Sequence, residues 1–191
     1  MRYMTLSEIE AGVAWVRAAP GDAGSVAALV VRPEVNQRES LTQVMFSPQQ
    51  GVAGDNWVMD CWKKLPNGES DPEVQVAIMN ARMIEVLTRD KSRWPLAGDQ
   101  LFVDFDLSVG NLAVGNRLQV GAAVLEITAE PHRGCRKFSQ RFGAEAKAFV
   151  NSKQGDAYRL RGVYAKIVSA GEVRVGDSIR KLSLESIDEG C

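Results

Sequence analysis

A cysteine surrounded by basic residues is the feature of this sequence best suited to chemistry. Cys135 lies in the run Pro-His-Arg-Gly-Cys-Arg-Lys-Phe-Ser-Gln-Arg-Phe, residues 131–142, which contains no acidic residue. The basic residues of this run are Arg133, Arg136, Lys137 and Arg141. Neighbouring cations stabilise a thiolate, which is both a nucleophile and a soft metal ligand. The alternative, that Cys135 is a small buried core residue beside a solvated helix face, stays open.

The local sequence predicts a corner between a strand and a helix at this cysteine. Pro131 ends the preceding strand, and Gly134 lets the backbone turn without a side chain that would crowd the sulfur. A helix is predicted from Arg136 to about Asn151, broken or kinked at Gly143. Its amino end would further stabilise a thiolate at Cys135.

Composition limits the class of protein. The chain has 191 residues, 45% of them hydrophobic, 25% charged, and a net charge of −1. It has no apolar run near the ~18 residues of a membrane span, and its three cysteines are odd in number and far apart. We therefore expect one soluble, cytoplasmic domain that binds neither nucleic acid nor membrane. Its N-terminus carries Glu8 and Glu10 where an export signal would need an apolar core.

The fold is predicted to be mostly β, an antiparallel β-barrel with a few short helices. About nine short apolar, β-branched runs alternate with turn residues. These runs are Val26–Arg32, Thr42–Phe46, Val74–Met79, Leu101–Leu107, Leu118–Val120, Ala122–Ala129, Val163–Ser169, Val173–Val175 and Ser178–Leu182. Residues 1–24 are predicted as an N-terminal helix near Ser7–Arg17 and a linker, residues 25–182 as the barrel, and residues 183–191 as a tail. The pattern Ser7-x-x-Glu10 predicts a capping box, and Ala81–Arg89 is predicted to be helical.

Several cofactor classes are disfavoured by missing motifs. His132 is the lone histidine, and no Cys-x-x-Cys pair exists for zinc or an iron–sulfur cluster. The glycine-rich phosphate loop and the dinucleotide-binding turn are also missing. An NTPase or a nicotinamide-dependent dehydrogenase is therefore not expected.

From about Ser25 to Lys181 the chain resembles the MOSC family, the domain found at the C-terminus of molybdenum cofactor sulfurases and in stand-alone bacterial proteins. No single motif carries the resemblance, but the ordered set does. The set comprises Gly51-Val-Ala-Gly-Asp-Asn-Trp57, Asn80-Ala-Arg82, Gly98-Asp-Gln-Leu101, Asp104-x-Asp106-Leu107, Asn111-Leu112, Pro131-His-x-Gly-Cys135, Arg141-Phe-Gly143, Arg161-Gly162 and Gly176-Asp177. The family fold is a mostly antiparallel barrel, in agreement with the strand pattern.

The resemblance also implies site residues and a cofactor, the molybdenum cofactor, whose metal would be held by Cys135. Its implied catalytic residues are Cys135, His132 and Asp55. Its implied cofactor-binding residues are Arg133, Arg136, Lys137, Arg82, Asn80, Asp99 and Asn111. Simpler alternatives remain for several of them: Asp55, Asp99 and Asn111 as turn residues, and Asn80 as a helix N-cap.

Two functions follow from the resemblance, and a third, simpler one stays open beside them. The first is a molybdenum-cofactor-dependent enzyme that reduces small N-oxygenated substrates, with electrons supplied by a redox partner. The second is a sulfur carrier, in which Cys135 accepts a persulfide from a separate cysteine desulfurase. The third is a non-catalytic barrel that binds a small anion.

Overall fold

The computed structural model describes residues 2–183, and Met1 and residues 184–191 are outside that range. The predicted tail therefore lies almost wholly outside the described residues. Eleven strands are formed within this range: β1 (Ala23–Val31), β2 (Glu39–Leu41), β3 (Gln43–Ser47), β4 (Gly51–Val52), β5 (Val76–Asn80), β6 (Leu101–Asp104), β7 (Arg117–Val120), β8 (Ala123–Ile127), β9 (Val163–Ser169), β10 (Gly171–Arg174) and β11 (Ser178–Lys181). No helix among these residues is long and apolar enough to cross a membrane.

Seven of the strands close into a barrel in the order β1-β11-β7-β8-β9-β5-β6, with β6 returning to β1. The predicted barrel is thus confirmed. Every barrel pairing is antiparallel except β5 with β6, which run parallel in the register Ile78 to Leu101. A parallel pair needs a long crossover, and the chain between these two strands supplies it with a helix and a 3-10 turn.

The remaining strands lie against the barrel. β2 extends the sheet beyond β1, and β3 pairs with both β4 and β10 in a second, three-stranded sheet. The sequence pattern did not predict β2 or β4. Each has three residues or fewer, too short to show a period-two pattern.

Alternation along the strands divides the core into two layers. In β5, Val76 and Ile78 join the cluster inside the barrel, while Met79 joins the cluster between the barrel wall and the helices. β6 alternates in the same way, with Phe102 turned towards the helices. This arrangement follows from the opposite directions of successive side chains in a strand. Helices therefore pack against the side of the barrel wall towards which Met79 and Phe102 point.

Within the described residues, six helices accompany the barrel: α1 (Leu6–Arg17), α2 (Trp57–Asp60), α3 (Ala81–Thr88), α4 (Arg136–Phe142), α5 (Ala144–Val150) and α6 (Lys153–Ala157). The three predicted helices are present, and Gly143, at φ 100°, separates α4 from α5 as the sequence predicted. The capping box of α1 is formed by Thr5 and Glu8. The prediction of Ser7 and Glu10 for that role was wrong, because the N-cap is Thr5, two residues before Ser7, and Glu8 therefore occupies the third helical position.

Candidate functional site

A cavity of about 520 Å³ opens beside Cys135. Its walls come from the loop before α2, the turn before β6, the start of α4 and the start of β9. Among residues 2–183, six cationic side chains line it, against a single carboxylate, that of Asp60. The six are Arg32, Arg38, Arg133, Lys137, Arg141 and Arg161. The cavity is of the size that holds small-molecule ligands, and its charge favours an anion.

Cys135 is held at the rim of this cavity by the backbone around it. It is the N-cap residue of α4, with extended backbone angles, and it is exposed to solvent. The preceding residue, Gly134, is fixed by Asn151, which accepts a hydrogen bond from its N–H at 2.8 Å and donates one to its carbonyl at 2.9 Å. Cys135 lies at the start of a helix, as the sequence predicted, but β8 ends at Ile127 rather than at Pro131, and residues 128–134 form a loop between the strand and the helix. The alternative of a buried structural cysteine does not hold, because the thiol is accessible.

The environment of Cys135 favours its thiolate. Partial burial acts to raise the pKa of the thiol, but interactions with the backbone N–H groups of Phe138 and Lys137, together with the charge of Arg161, lower it overall. Lys137 and Phe138 belong to the first turn of α4, where N–H groups lack helical partners. Cys135 is thus suited to nucleophilic attack or to binding a soft metal.

Beneath the cavity lies a buried ion pair. Arg161 Nη1 lies 2.8 Å from both carboxylate oxygens of Asp99, and its Nη2 donates to the carbonyl of Ala97 at 3.1 Å. Burial raises the pKa of Asp99, and the charge of Arg161 opposes that rise. The pair fixes one guanidinium group in the floor of the site.

His132 packs beside this ion pair and is uncharged at neutral pH. Its Nδ1 lies 3.6 Å from Asp99, and its ring stacks on Tyr164 with the centroids 4.2 Å apart. Burial holds the pKa of His132 well below its ordinary range, and the charges of Arg161 and Arg32 lower it further. Burial also raises the pKa of Tyr164. Both side chains are therefore neutral in this wall.

Four arginines converge on one short backbone segment, residues 96–98. Arg141 donates to the carbonyl of Leu96 at 2.8 Å, Arg161 donates to Ala97, and Arg32 donates to Gly98 at 3.4 Å. The guanidinium group of Arg38 packs against Gly98, where a β-carbon would lie 3.5 Å from its Nη2. We refer to Arg32, Arg38, Arg141 and Arg161 as the arginine cluster.

The arginine cluster carries more positive charge than its surroundings neutralise. Arg32 is paired with Asp55, and Arg161 with Asp99. Within residues 2–183, neither Arg38 nor Arg141 forms a salt bridge. Burial lowers the pKa of Arg38, and the nearby charges of Arg141 and Arg32 lower it further. An anion bound here would relieve this repulsion.

Unsatisfied hydrogen-bonding atoms also concentrate at the cavity. Five buried side-chain nitrogens of the described part of the chain lack a hydrogen-bond partner, and four belong to residues that line this cavity. The four are Arg38 Nε, Trp57 Nε1, His132 Nδ1 and Arg161 Nε. Buried polar groups are normally paired. Their concentration here indicates a site built to interact with a ligand.

Some of the residues predicted from the sequence meet at this cavity. Cys135, His132, Arg133 and Lys137 line it directly. Asp99 does not line the cavity, but its carboxylate accepts hydrogen bonds from Arg161, which does. Arg133 is half-exposed and forms an ion pair with Asp156 at 3.1 Å, while the side chain of Lys137 is exposed.

The other predicted residues lie elsewhere. Asp55 is fully buried behind the cavity, where it accepts hydrogen bonds from Nε and Nη2 of Arg32 at 2.8 and 2.7 Å. Asn80 caps α3 by accepting from the N–H groups of Arg82 and Met83, the N-cap role that the sequence also allowed.

Three more predicted residues lie outside the lining of the cavity. Arg82 makes a bidentate contact with Asp104. Asn111 donates to the carbonyls of Gly21 and Asp106. Arg136 is exposed on α4 and is not among the lining residues.

The sequence reasoning gave no role to several lining residues. Arg32 and Arg38 were not singled out, Arg161 appeared only within the motif Arg161-Gly162, and Arg141 was noted only as one of the basic residues near Cys135 and in the motif Arg141-Phe-Gly143. These arginines are separated by up to 129 positions in the chain, so only the closed barrel brings them together. One signal was present: Arg32 directly follows the buried run of β1, where a charged residue needs a partner.

The fold and the site define a class: a closed mixed barrel with a cation-lined cavity and an exposed cysteine at the start of a helix. The family model for the MOSC domain matches residues 72–180, more than half of the chain. The chain therefore belongs to the MOSC domain family. A search of curated proteins gave no significant match.

Solved structures share the fold. One is YuaD from Bacillus subtilis, with 15% identity and a TM-score of 0.55, covering 82% of this chain and 94% of that one. Another is YiiM from Escherichia coli, with 14% identity and a TM-score of 0.53, covering 83% of this chain and 70% of that one. YiiM from Geobacillus stearothermophilus has 11% identity and a TM-score of 0.53, covering 84% of this chain and 75% of that one. At these identities the likeness concerns the fold alone.

Proposed function

We propose that the protein binds the molybdenum cofactor in the cavity beside Cys135, with the cysteine as metal ligand, and reduces small N-oxygenated molecules. The observation that supports this most directly is the arginine cluster, whose charge is only partly neutralised by carboxylates. The pterin of the cofactor carries a phosphate, and guanidinium groups are well suited to phosphate.

The residues present fit such a group. Of the four unpartnered nitrogens at the cavity, those of Arg38, Trp57 and Arg161 can donate to a polar heterocycle, and Nδ1 of His132 can donate or accept. The thiol of Cys135, with its lowered pKa, supplies a soft ligand at the rim. Arg38 and Arg141 would hold the phosphate end, and Lys137 could add a further charge from α4.

When bound, the metal centre would supply two-electron redox chemistry, and the protein would supply ligation and orientation. Reduction of an N–O bond consumes two electrons and two protons and releases the oxygen as water. The electrons must come from an external reductant, so a redox partner belongs to the proposal. Tyr164, which lines the cavity and whose pKa is raised by burial, would donate a hydrogen bond to the substrate.

A second function, sulfur transfer, is supported by the exposure of Cys135. A persulfide carrier needs a thiol that a protein donor can reach, and this thiol is exposed on the rim. The donor would be a separate cysteine desulfurase. In this alternative the cationic cavity would stabilise the anionic persulfide rather than hold a pterin.

One pair of assays separates these functions. Protein expressed in a host that makes the cofactor is analysed for pterin by fluorescence after oxidation, as wild type and as Cys135→Ala. Under our proposal the wild type carries pterin, and Cys135→Ala keeps part of it but no longer reduces hydroxylamines or N-oxides.

The sulfur-carrier function predicts the reverse result. No pterin co-purifies with either form, and wild type incubated with a desulfurase and cysteine gains a cyanolysable sulfur that Cys135→Ala cannot accept. Finding neither pterin nor persulfide on the wild type would leave the non-catalytic anion-binding barrel.

A further inference from the structure

A second, smaller cavity of about 260 Å³ lies behind the wall formed by His132, Arg133 and Arg161. These three residues line both cavities. The other side of the smaller cavity is formed by the segment around α6, with Arg159 and Gly162, and by Val114. Nothing in the proposed cofactor site uses Arg159 or this space.

Arg159 brings a cation to this cavity that no carboxylate neutralises. Its Nη1 donates to the carbonyls of Leu112 at 2.7 Å and Leu107 at 3.4 Å. In the described part of the chain, no acidic side chain forms a salt bridge with it, and burial alone lowers its pKa. Arg159 also adopts a left-handed backbone conformation, with φ 46°, which is unusual for a residue with a side chain.

The acidic residues of the smaller cavity are already paired. Asp156 binds Arg133 at 3.1 Å, and Glu130 binds Lys63 at 2.6 Å. Neither of these carboxylates therefore neutralises the positive charge of Arg159. A cation that is partly desolvated without a counter-charge is costly, and a bound anion would offset that cost.

Arg161 adds a second guanidinium group in the wall that the two cavities share. It is 6% exposed, it lines the smaller cavity, and its Nε has no hydrogen-bond partner. Gly162, which also lines this cavity, has φ 108°, and a β-carbon there would lie 2.1 Å from the carbonyl oxygen of Ile78. The backbone next to Arg161 is thus held close to β5 by a residue without a side chain.

We propose that this second cavity is a binding site for a small tetrahedral oxyanion of the phosphate or sulfate class, with Arg159 as its principal cation and Arg161 in the wall shared with the cavity of Cys135. Its volume and single surplus charge suit a free oxyanion. The proposal concerns a separate site and does not depend on cofactor binding.

The test is a titration of the purified protein with inorganic phosphate and, separately, with sulfate, followed by two-dimensional NMR of the backbone amides. It is made in the wild type and in Arg38→Gln with Arg141→Gln, which weakens anion binding in the larger cavity. Saturable shifts of the amides of Gly155 and Gly162 are expected in both proteins. The sulfate and phosphate arms identify which oxyanion the site prefers.

Two variants test whether the anion binds in the smaller cavity. Arg159→Gln should weaken the binding about tenfold or more, the loss expected for one charge-assisted contact, and Arg159→Lys should restore part of it. Because Arg159 also supports the backbone at Leu112, Val114→Trp serves as a second variant that fills the cavity from an exposed position. Val109→Trp is its matched control, since Val109 has the same 56% exposure as Val114 but is not a lining residue.

The proposal is overturned if neither oxyanion shifts Gly155 and Gly162 in the wild type. It is equally overturned if Arg159→Gln and Val114→Trp bind as tightly as Val109→Trp. Loss of all binding in Arg38→Gln with Arg141→Gln would assign the anion to the larger cavity alone, without contradicting the proposed cofactor site.

Discussion

Arg161 and Asp99 form a buried ion pair, with one guanidinium nitrogen 2.8 Å from both carboxylate oxygens, directly beneath the cavity that Cys135 borders. Two residues 62 positions apart in the chain are joined here because β6 and β9 both flank β5 in the closed barrel. The carboxylate of Asp99 compensates the charge of Arg161 and so allows its guanidinium group to lie in an interior that would otherwise exclude it. Changes to the buried polar groups around this pair should therefore change the stability of the protein and the reactivity of its thiol.

The first prediction concerns the pH dependence of stability. His132 is neutral when folded, since burial holds its pKa well below the ordinary value, but it takes up a proton in the unfolded chain below pH about 6.5. The unfolded state then binds more protons, so the free energy of unfolding should fall as the pH drops below about 6.5, by at most about 1.4 kcal/mol per pH unit.

Denaturant unfolding at pH 5, 6 and 7 measures this dependence. His132→Phe keeps a ring against Tyr164 and removes the titrating group, so its stability should vary less over the same range. Identical pH dependence in the variant and the wild type would contradict the assignment of a buried neutral histidine.

The second prediction concerns Asp55, whose catalytic role remains a prediction. Its carboxylate is fully buried and holds Arg32 through two hydrogen bonds. Asp55→Ala would leave that guanidinium group without its counter-charge, and we expect a loss of about 3 kcal/mol or more in the free energy of unfolding.

Asp156→Ala is the matched control, because it removes the carboxylate that pairs with Arg133, another arginine that lines the cavity beside Cys135. Asp156 and Arg133 are about half-exposed in their pair, so the expected loss is below about 1 kcal/mol. Equal losses in the two variants, measured by urea unfolding, would show that Asp55 does not have the structural role that its contacts indicate.

The third prediction concerns the thiol of Cys135. Since its pKa is lowered, its alkylation by iodoacetamide should reach half of its maximal rate at a lower pH than that of an ordinary cysteine. Arg161→Gln should move that midpoint upwards, because it removes one of the stabilising charges.

Mass spectrometry of the alkylated peptides assigns the rates. Cys61 serves as the internal comparison because it is buried, and the further cysteine, Cys191, lies outside the described residues. A Cys135 that reacts at neutral pH no faster than Cys61 would contradict the account of an accessible thiolate.

Local sequence patterns predicted some features of the fold and not others. The β-branched runs predicted the barrel, and Gly143 predicted the break between α4 and α5, because both depend on neighbouring residues. The parallel pairing of β5 and β6 was not predicted, since strand direction depends on a crossover of the whole chain. Cys135, His132, Arg133 and Lys137 were found together because they are close in sequence.

Other site residues could not be found in this way. Arg38 reaches the cavity from the loop after β1, and nothing local distinguishes it from a surface arginine. Asn80 and Asn111 show the converse: both lie within family motifs, yet their side chains bind backbone groups that shape the fold. Residues within such a motif can therefore support a turn or a helix cap instead of contacting a ligand.

The most direct test of the central claim is the molybdenum content of the purified protein, expressed in a host that makes the cofactor. We predict about one molybdenum atom per chain for a fully loaded wild type and a similar content for Arg136→Gln, which removes a basic residue that does not line the cavity. Arg38→Gln with Arg141→Gln should retain less than about a tenth of it, because two charge-assisted contacts to the phosphate are lost. A wild type free of molybdenum, or a double variant as fully loaded as Arg136→Gln, would contradict the account.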